Sequence, residues 1–387
     1  MNSKSSRRGF IAAGLSLPAA GLAASRMPEP SALQAQARPS GGALATRVLG
    51  KTGLKVTQVG MGCMITSDPT VVTRAVDMGI TYIDTARIYQ SGNNERMVGG
   101  ALGANRNKIT LSSKSQATTK VQALADLETS LKEIGTDHLD VWYMHSRDAA
   151  EKITDECVDA WTTAKQQGKI RFIGVSTHNP NAIVDRVFQV GKFDVLLSQY
   201  SVATGANNDA TYKKLSDAGI GLVAMKVMGF VGGGGRGARG APPTPAVPGK
   251  HLAALKWVLK NPLIGTTVPS MTDIDQLENN FRALSEKITP DEEKLLALVN
   301  EEIRPYYCRM CHQCSGQCPK GIPVSDMIRY LSYADFYGQF PLGRGYFLEL
   351  PENVRNVRCA DCSSCAVKCP NGVHVTERLI RAQELFA

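Results

Sequence analysis

Between Arg47 and about Leu284, short runs of β-branched and other apolar residues alternate with longer stretches whose apolar residues recur three or four apart, and the cycle repeats eight times. The short runs are TQVGMGC, ITYIDT, KITLSSK, LDVWYMH, IRFIGVS, FDVLLSQY, GLVAMK and GTTVPS. The intervening stretches, among them VVTRAVDMG, KVQALADLETSLKEIG, ECVDAWTTAKQQGK, HLAALKWVLKN and DIDQLENNFRAL, carry one apolar face each, as helices packed on a sheet require. Eight strand and helix units predict an α/β chain whose main part, residues 45–285, is a closed (β/α)8 TIM barrel. Ahead of the first unit, RVLGKTGLKVT places Thr52 and Gly53 between two extended runs, a hairpin expected to plug the barrel floor.

Nearly every strand closes on a polar residue. Asp84, Lys114, His145, Ser176, Gln199, Lys226 and Ser270 stand at or just beyond seven of these runs. Strand C-termini of such a barrel open onto one face, where active sites sit. A single Asp or Ser there is ordinarily a turn residue or a cap; seven in succession weaken that reading. With Tyr89 from the following loop, Asp84, Lys114 and His145 form a chemically coherent set. A phenol is a poor acid or base near neutrality unless a cation favours its ionised form, which Lys114 can supply. Asp84 would keep the buried lysine charged, and His145 would hydrogen-bond a carbonyl oxygen as negative charge develops.

The order Asp84, Tyr89, Lys114, His145 resembles the catalytic tetrad of the aldo-keto reductases, and GITYIDTARIYQSGNNE, IRFIGVSTHN, LLSQYS and VPSMTDIDQLENN resemble that family's strands two, five, six and eight. The resemblance covers roughly residues 45 to 285. It implies hydride transfer between NADP(H) or NAD(H) and a small carbonyl or alcohol substrate, with Ser176 and Gln199 holding the nicotinamide carboxamide and Lys226 near the pyrophosphate. Ser270, Thr272, Gln276 and Asn280 would surround the adenosine end. Met225 stands where many members place an aromatic ring against the nicotinamide, and Gln276 where many have an arginine for the ribose phosphate, which weakens the preference for NADPH.

After a capped connecting helix at 286–304 the composition changes abruptly. Cys308, Cys311, Cys314 and Cys318, followed by Pro319, give C-x2-C-x2-C-x3-C-P, and Cys359, Cys362, Cys365 and Cys369, followed by Pro370, repeat it. That is the spacing of bacterial two-cluster ferredoxins, in which the fourth cysteine of each run ligates the other run's cluster. Zinc ordinarily takes two separated C-x-x-C pairs, and disulfide pairing does not generate two identical runs. Residues 305–387 therefore predict a small, mainly helical ferredoxin-like domain for two 4Fe-4S clusters, with MIRYLSYADFYGQF as an aromatic helix between the runs. Cys63 and Cys157 read as core residues.

Residues 1–37 stand apart. Arg7 and Arg8 within SRRGFI, a short apolar run to Ala24, and Ala35 and Ala37 as a cleavage site resemble a twin-arginine signal, implying the export machinery as a partner and a periplasmic or otherwise exported location. A cytoplasmic chain with an Ala-rich leader is the alternative. The net charge of +9 lies partly in this leader and includes no basic run, so nucleic acid is not expected. Within residues 230–250, GGGGRGARG and APPTPAVP make no packed core; a mobile flap, a phosphate loop using Arg236 and Arg239, or a plain insertion all fit. Nicotinamides carry two electrons and clusters one, and no flavin motif bridges them. The clusters then serve structure, pass electrons to a redox partner, or require a cofactor hidden from sequence. The competing reading is an iron-sulfur electron carrier with the barrel as a non-catalytic scaffold.

Overall fold

The computed structural model describes residues 44–231 and 248–387. The leader with its twin-arginine start, and the glycine-rich stretch with Arg236 and Arg239, lie outside the described residues.

Two short antiparallel strands, β1 (Thr46–Val48) and β2 (Lys55–Thr57), come first, joined through a turn of 3-10 helix. Eight parallel strands follow: β3 (Met61–Gly62), β4 (Tyr82–Asp84), β5 (Thr110–Ser115), β6 (Leu139–Met144), β7 (Ile170–Thr177), β8 (Val195–Gln199), β9 (Gly221–Met225) and β10 (Ile264–Thr267). They pair in chain order, and parallel bridges Val59 to Thr267 and Gly62 to Ser270 bring the first strand back against the last. Gly62 permits this closure, because a Cβ there would sit 2.4 Å from the Val268 carbonyl oxygen.

Each strand leads into one helix: α1 (Pro69–Asp77), α2 (Asn93–Leu102), α3 (Lys120–Ile134), α4 (Asp155–Gln166), α5 (Pro180–Val190), α6 (Gly205–Asp217), α7 (Lys250–Leu259) and α8 (Ile274–Phe281). Their starts follow from local chemistry. Asp68, Thr119, Thr154 and Asp273 cap α1, α3, α4 and α8 through their side chains, and Pro69 and Pro180 occupy first-turn positions that need no N–H donor. Strands such as β6, with helices outside and packed side chains inside, are buried throughout and read as continuous apolar runs.

The interior is filled by Tyr82, Val141, Tyr143, Val195, Leu197 and Val223, and Leu49, Leu54 and Val56 of the first hairpin close it from below, as the floor-plug expectation required. Helix α9 (Pro290–Glu302) follows, opened by a capping box in which Thr289 and Glu292 each satisfy the other's backbone N–H. Its Leu296, Val299 and Ile303 pack with Ala253 and Ala254 of α7 and with Tyr307 and Phe336 farther on, so one apolar seam joins barrel and C-terminal domain.

That domain comprises α10 (Val324–Asp335), α11 (Phe340–Leu348), α12 (Glu352–Arg355) and α13 (Val375–Phe386) around two cysteine-bearing loops. Asp335, fully buried at the end of α10, receives Arg378 Nη2 at 2.6 Å and Arg381 Nη2 at 2.7 Å from α13. Removing the carboxylate would strand buried guanidinium charge. Asp335→Ala is expected to destabilise this domain by about 3–5 kcal/mol, measured as earlier loss of cysteine protection from alkylation during urea unfolding. No helix among the described residues is long and apolar enough to cross a membrane.

Candidate active site

The four residues singled out for catalysis meet at one end of the barrel. Asp84 closes β4, Lys114 lies one residue before the end of β5, and His145 follows β6, all almost fully buried. Lys114 Nζ donates to Asp84 Oδ2 at 2.6 Å and to the Thr85 carbonyl at 2.6 Å, while Ser112 Oγ donates to Asp84 Oδ1 at 2.6 Å. The neighbouring registers of β4 and β5, with Asp84 opposite Ser112, create this geometry. Half-buried Tyr89 presents its ring 4.8 Å from the Lys114 ammonium and edge-on to His145, centroids 5.9 Å apart.

The electrostatics refine the sequence expectation. Burial, reinforced by the Asp84 carboxylate, pushes the Tyr89 phenol well above its ordinary value. Burial pulls the Lys114 ammonium down while Asp84 opposes it. His145 is held well below the ordinary histidine value by burial and then by Lys114, and its Nδ1 is buried with no hydrogen-bond partner among the described residues. The resting site thus pairs a neutral imidazole with a protonated phenol.

Beside Tyr89 and Asp84 opens a cavity of about 160 Å³, lined by Gly62, Met64, Met225, Val268 and Ser270 of the barrel and by Phe336, Tyr337 and Gln339 of the C-terminal domain. Met225 lines this space. Gln199 is buried, its Nε2 without a hydrogen-bond partner among the described residues. The Ser176 hydroxyl already accepts from the Ser146 N–H at 2.9 Å, although it retains a lone pair. Thr272 and Gln276 are exposed and bonded to one another, Gln276 Nε2 donating to Thr272 Oγ1 at 2.9 Å, and Asn280 is buried on α8. Lys226 differs from expectation. Its ammonium lies over two rings of α10 and the turn after it, 4.6 Å from the Tyr333 centroid and 5.0 Å from that of Tyr337.

These tyrosines are what sequence reasoning missed. Tyr333 and Tyr337 belong to the aromatic pattern between the cysteine runs, which reads as domain core; their spacing of four on one helical face was the available signal. Arg329, on the same face, reaches 3.7 Å from Asp148, the residue that holds His178 through its ring and backbone nitrogens.

The eight clustered cysteines sort across the two runs. Cys308 is half-buried, and the neighbouring thiols it feels are Cys314, Cys311 and Cys369; Cys359 likewise feels Cys362, Cys318 and Cys365. Cys318, Cys359, Cys362 and Cys365 line one cavity together with Ile322, Val367 and Leu379. In the other set Met310 N–H points at Cys308 Sγ at 3.4 Å, and Asn371 Nδ2 donates to Cys311 Sγ at 3.2 Å. Both contacts suit thiolate ligands. Cys63 and Cys157 are buried in the barrel core.

Comparisons with known proteins agree with both halves. Residues 67–245 match the aldo/keto reductase family and residues 307–374 the 4Fe-4S dicluster domain. The chain is similar to the uncharacterized oxidoreductase YqkF of Bacillus subtilis (strain 168), 25% identical over 286 residues, which are 64% of this chain and 93% of the relative. It is also similar to the L-galactose dehydrogenase of Arabidopsis thaliana, 28% identical over 289 residues, 62% of this chain and 88% of that one. Among solved structures, the holo form of aldo-keto reductase AKR11C1 from Bacillus halodurans superposes with a TM-score of 0.56 at 25% identity, covering 66% of this chain and 96% of that one. An aldo-keto reductase from Klebsiella pneumoniae in complex with NADPH gives 0.56 at 21% identity, over 69% and 98%. The chain therefore carries an aldo/keto reductase domain followed by a 4Fe-4S dicluster domain.

Proposed function

We propose that this chain is an NAD(P)H-dependent oxidoreductase acting on a small carbonyl or alcohol, with two 4Fe-4S clusters in its C-terminal domain. The observation that carries the reading is the buried Lys114 and Asp84 pair set against Tyr89 and His145 at the barrel mouth. A bound nicotinamide supplies the hydride. Tyr89 gives its proton to the carbonyl oxygen, and the neutral imidazole of His145 donates a hydrogen bond to that oxygen as charge builds. In the reverse direction the same phenol must lose its proton, and the Lys114 ammonium stabilises the phenolate. The unpartnered Gln199 amide and the Ser176 hydroxyl suit the carboxamide, and Ser270, Thr272, Gln276 and Asn280 the adenosine end. The Klebsiella relative solved with NADPH supports NADP(H) as the dinucleotide.

Cys308, Cys311, Cys314 and Cys369 would hold one cluster, and Cys359, Cys362, Cys365 and Cys318 the other, each a one-electron carrier when assembled. Cys369→Ser is then expected to remove the cluster of the first run and spare that of its own. Iron analysis should show about half the metal lost, with intact protection of Cys359 and Cys362 from alkylation. The twin-arginine start supports export of the folded, loaded chain, and a redox partner outside the cytoplasm is the natural recipient of cluster electrons.

The test of the enzyme reading is anaerobic purification followed by fluorescence titration with NADPH and NADH and turnover of a carbonyl panel. Binding with nicotinamide oxidation supports it; intact clusters without any nicotinamide, retained or added, overturn it.

A further inference from the structure

The C-terminal domain stands over the barrel mouth. Phe336, Tyr337 and Gln339 complete the cavity that Tyr89, Met225 and Ser270 begin. A smaller space beside it is lined at once by Gln199, His178 and Lys226 of the barrel and by Cys308, Arg329, Tyr333 and Tyr337 of the cluster domain. Lys226 and Tyr337 line both spaces and so form the wall between them.

The contacts across this seam are specific. Lys226 adopts a left-handed backbone, φ 58°, rare for a residue with a side chain, at the turn that directs its ammonium onto Tyr333 and Tyr337. Tyr337 is hydrogen-bonded through its hydroxyl to that of Tyr307 at 3.1 Å and lies against Gly229, where any Cβ would come 1.8 Å from the phenol oxygen. Arg329 is drawn toward Asp148 of the barrel, and Arg309 Nη1 donates to the Ala203 carbonyl at 3.4 Å. A domain serving only to store clusters has no need of such a fit to the end of β9.

We propose that the cluster domain forms the outer wall of the nicotinamide site, with Lys226 and Tyr337 as a clasp that keeps the dinucleotide from leaving between turnovers. The inference rests on the barrel being a nicotinamide enzyme. The carboxamide residue Gln199 lies behind the clasp, and the cavity in front is closed on one side by Phe336 and Gln339, so release requires α10 and the turn after it to lift from the barrel. Dissociation becomes a conformational event rather than simple diffusion. A retained nicotinamide would cycle in place, an alcohol of the substrate class returning to it the hydride that a carbonyl had taken, so that no dissolved dinucleotide is consumed.

The experiment uses the full chain, purified without oxygen with its clusters in place. NADPH is bound, then displaced by excess NADP+ while its fluorescence is followed. Wild type should retain NADPH through gel filtration, and Tyr337→Ala and Lys226→Met should each release it about tenfold faster or more, with cluster absorbance and circular dichroism unchanged. Tyr337→Phe keeps the ring over Lys226 and should stay within about threefold of wild type. Fast release from wild type, unchanged in Tyr337→Ala and Lys226→Met, overturns the clasp and leaves the enzyme reading intact. A chain that neither contains nor binds NADPH overturns both.

Discussion

Replacing Tyr89 by Phe lowers kcat for carbonyl reduction by about 10²–10⁴-fold, the contribution expected of a positioned general acid, and leaves NADPH affinity within about twofold. The substitution removes one oxygen from a half-buried ring and preserves its edge contact with His145 and its place beside Lys114. The pH profile is the sharper arm. Burial and Asp84 raise the Tyr89 phenol above its ordinary value, so the proton-bearing form persists to higher pH than for a free tyrosine. Burial and Lys114 lower His145, so its neutral form persists to lower pH than for a free histidine. Wild-type reduction should accordingly stay flat from about pH 6 to pH 9. Steady-state kinetics with a saturating carbonyl substrate and a nicotinamide titration measure all three quantities. A variant retaining more than a tenth of wild-type turnover would remove Tyr89 from the chemistry.

Asp84→Ala should be the most destabilising change at the site. It leaves the Lys114 ammonium, 1% exposed, with the Thr85 carbonyl as its one hydrogen-bond acceptor among the described residues, and leaves Ser112 the longer contact to the Ile83 carbonyl at 3.4 Å. Breaking a buried pair on one side costs about 3–5 kcal/mol, whereas replacing both partners by uncharged residues of similar size is close to neutral. Urea unfolding of Asp84→Ala, Lys114→Met and the double variant Asp84→Asn/Lys114→Met tests this. The single variants should fall well below wild type and the double should recover most of the loss, although it remains inactive. Equal losses in all three would mean that the pair stabilises the fold rather than being carried by it.

How far the sequence disclosed this arrangement depended on whether a feature is local. The strands were legible because a parallel strand buried on both faces must be apolar along its length, and their polar ends stood out against those runs. The floor hairpin was legible from Thr52 and Gly53. The cysteine sorting was expected from the match of C-x2-C-x2-C-x3-C-P to bacterial two-cluster ferredoxins, whose fourth cysteine serves the other run's cluster. The direction of the Tyr89 shift was not legible. It is set first by how completely the fold buries the phenol and then by the Asp84 carboxylate beside it, neither of which residue type alone reveals. The destination of Lys226 was likewise hidden, because the rings that receive it lie more than a hundred residues away, in a segment whose aromatic pattern also suits an ordinary helical core.

The crossing of the cysteine runs sets an order of events during synthesis. Cys308 emerges from the ribosome soon after the barrel, but the set it belongs to is incomplete until Cys369 has been made at the far end of the domain. Through that interval the barrel can close, since its strands and helices all precede Cys308, while the segment that will cover its mouth has no anchored neighbour in the second run. At that stage the covering segment rests on its barrel contacts alone, Tyr333 and Tyr337 against Lys226 and Arg329 toward Asp148.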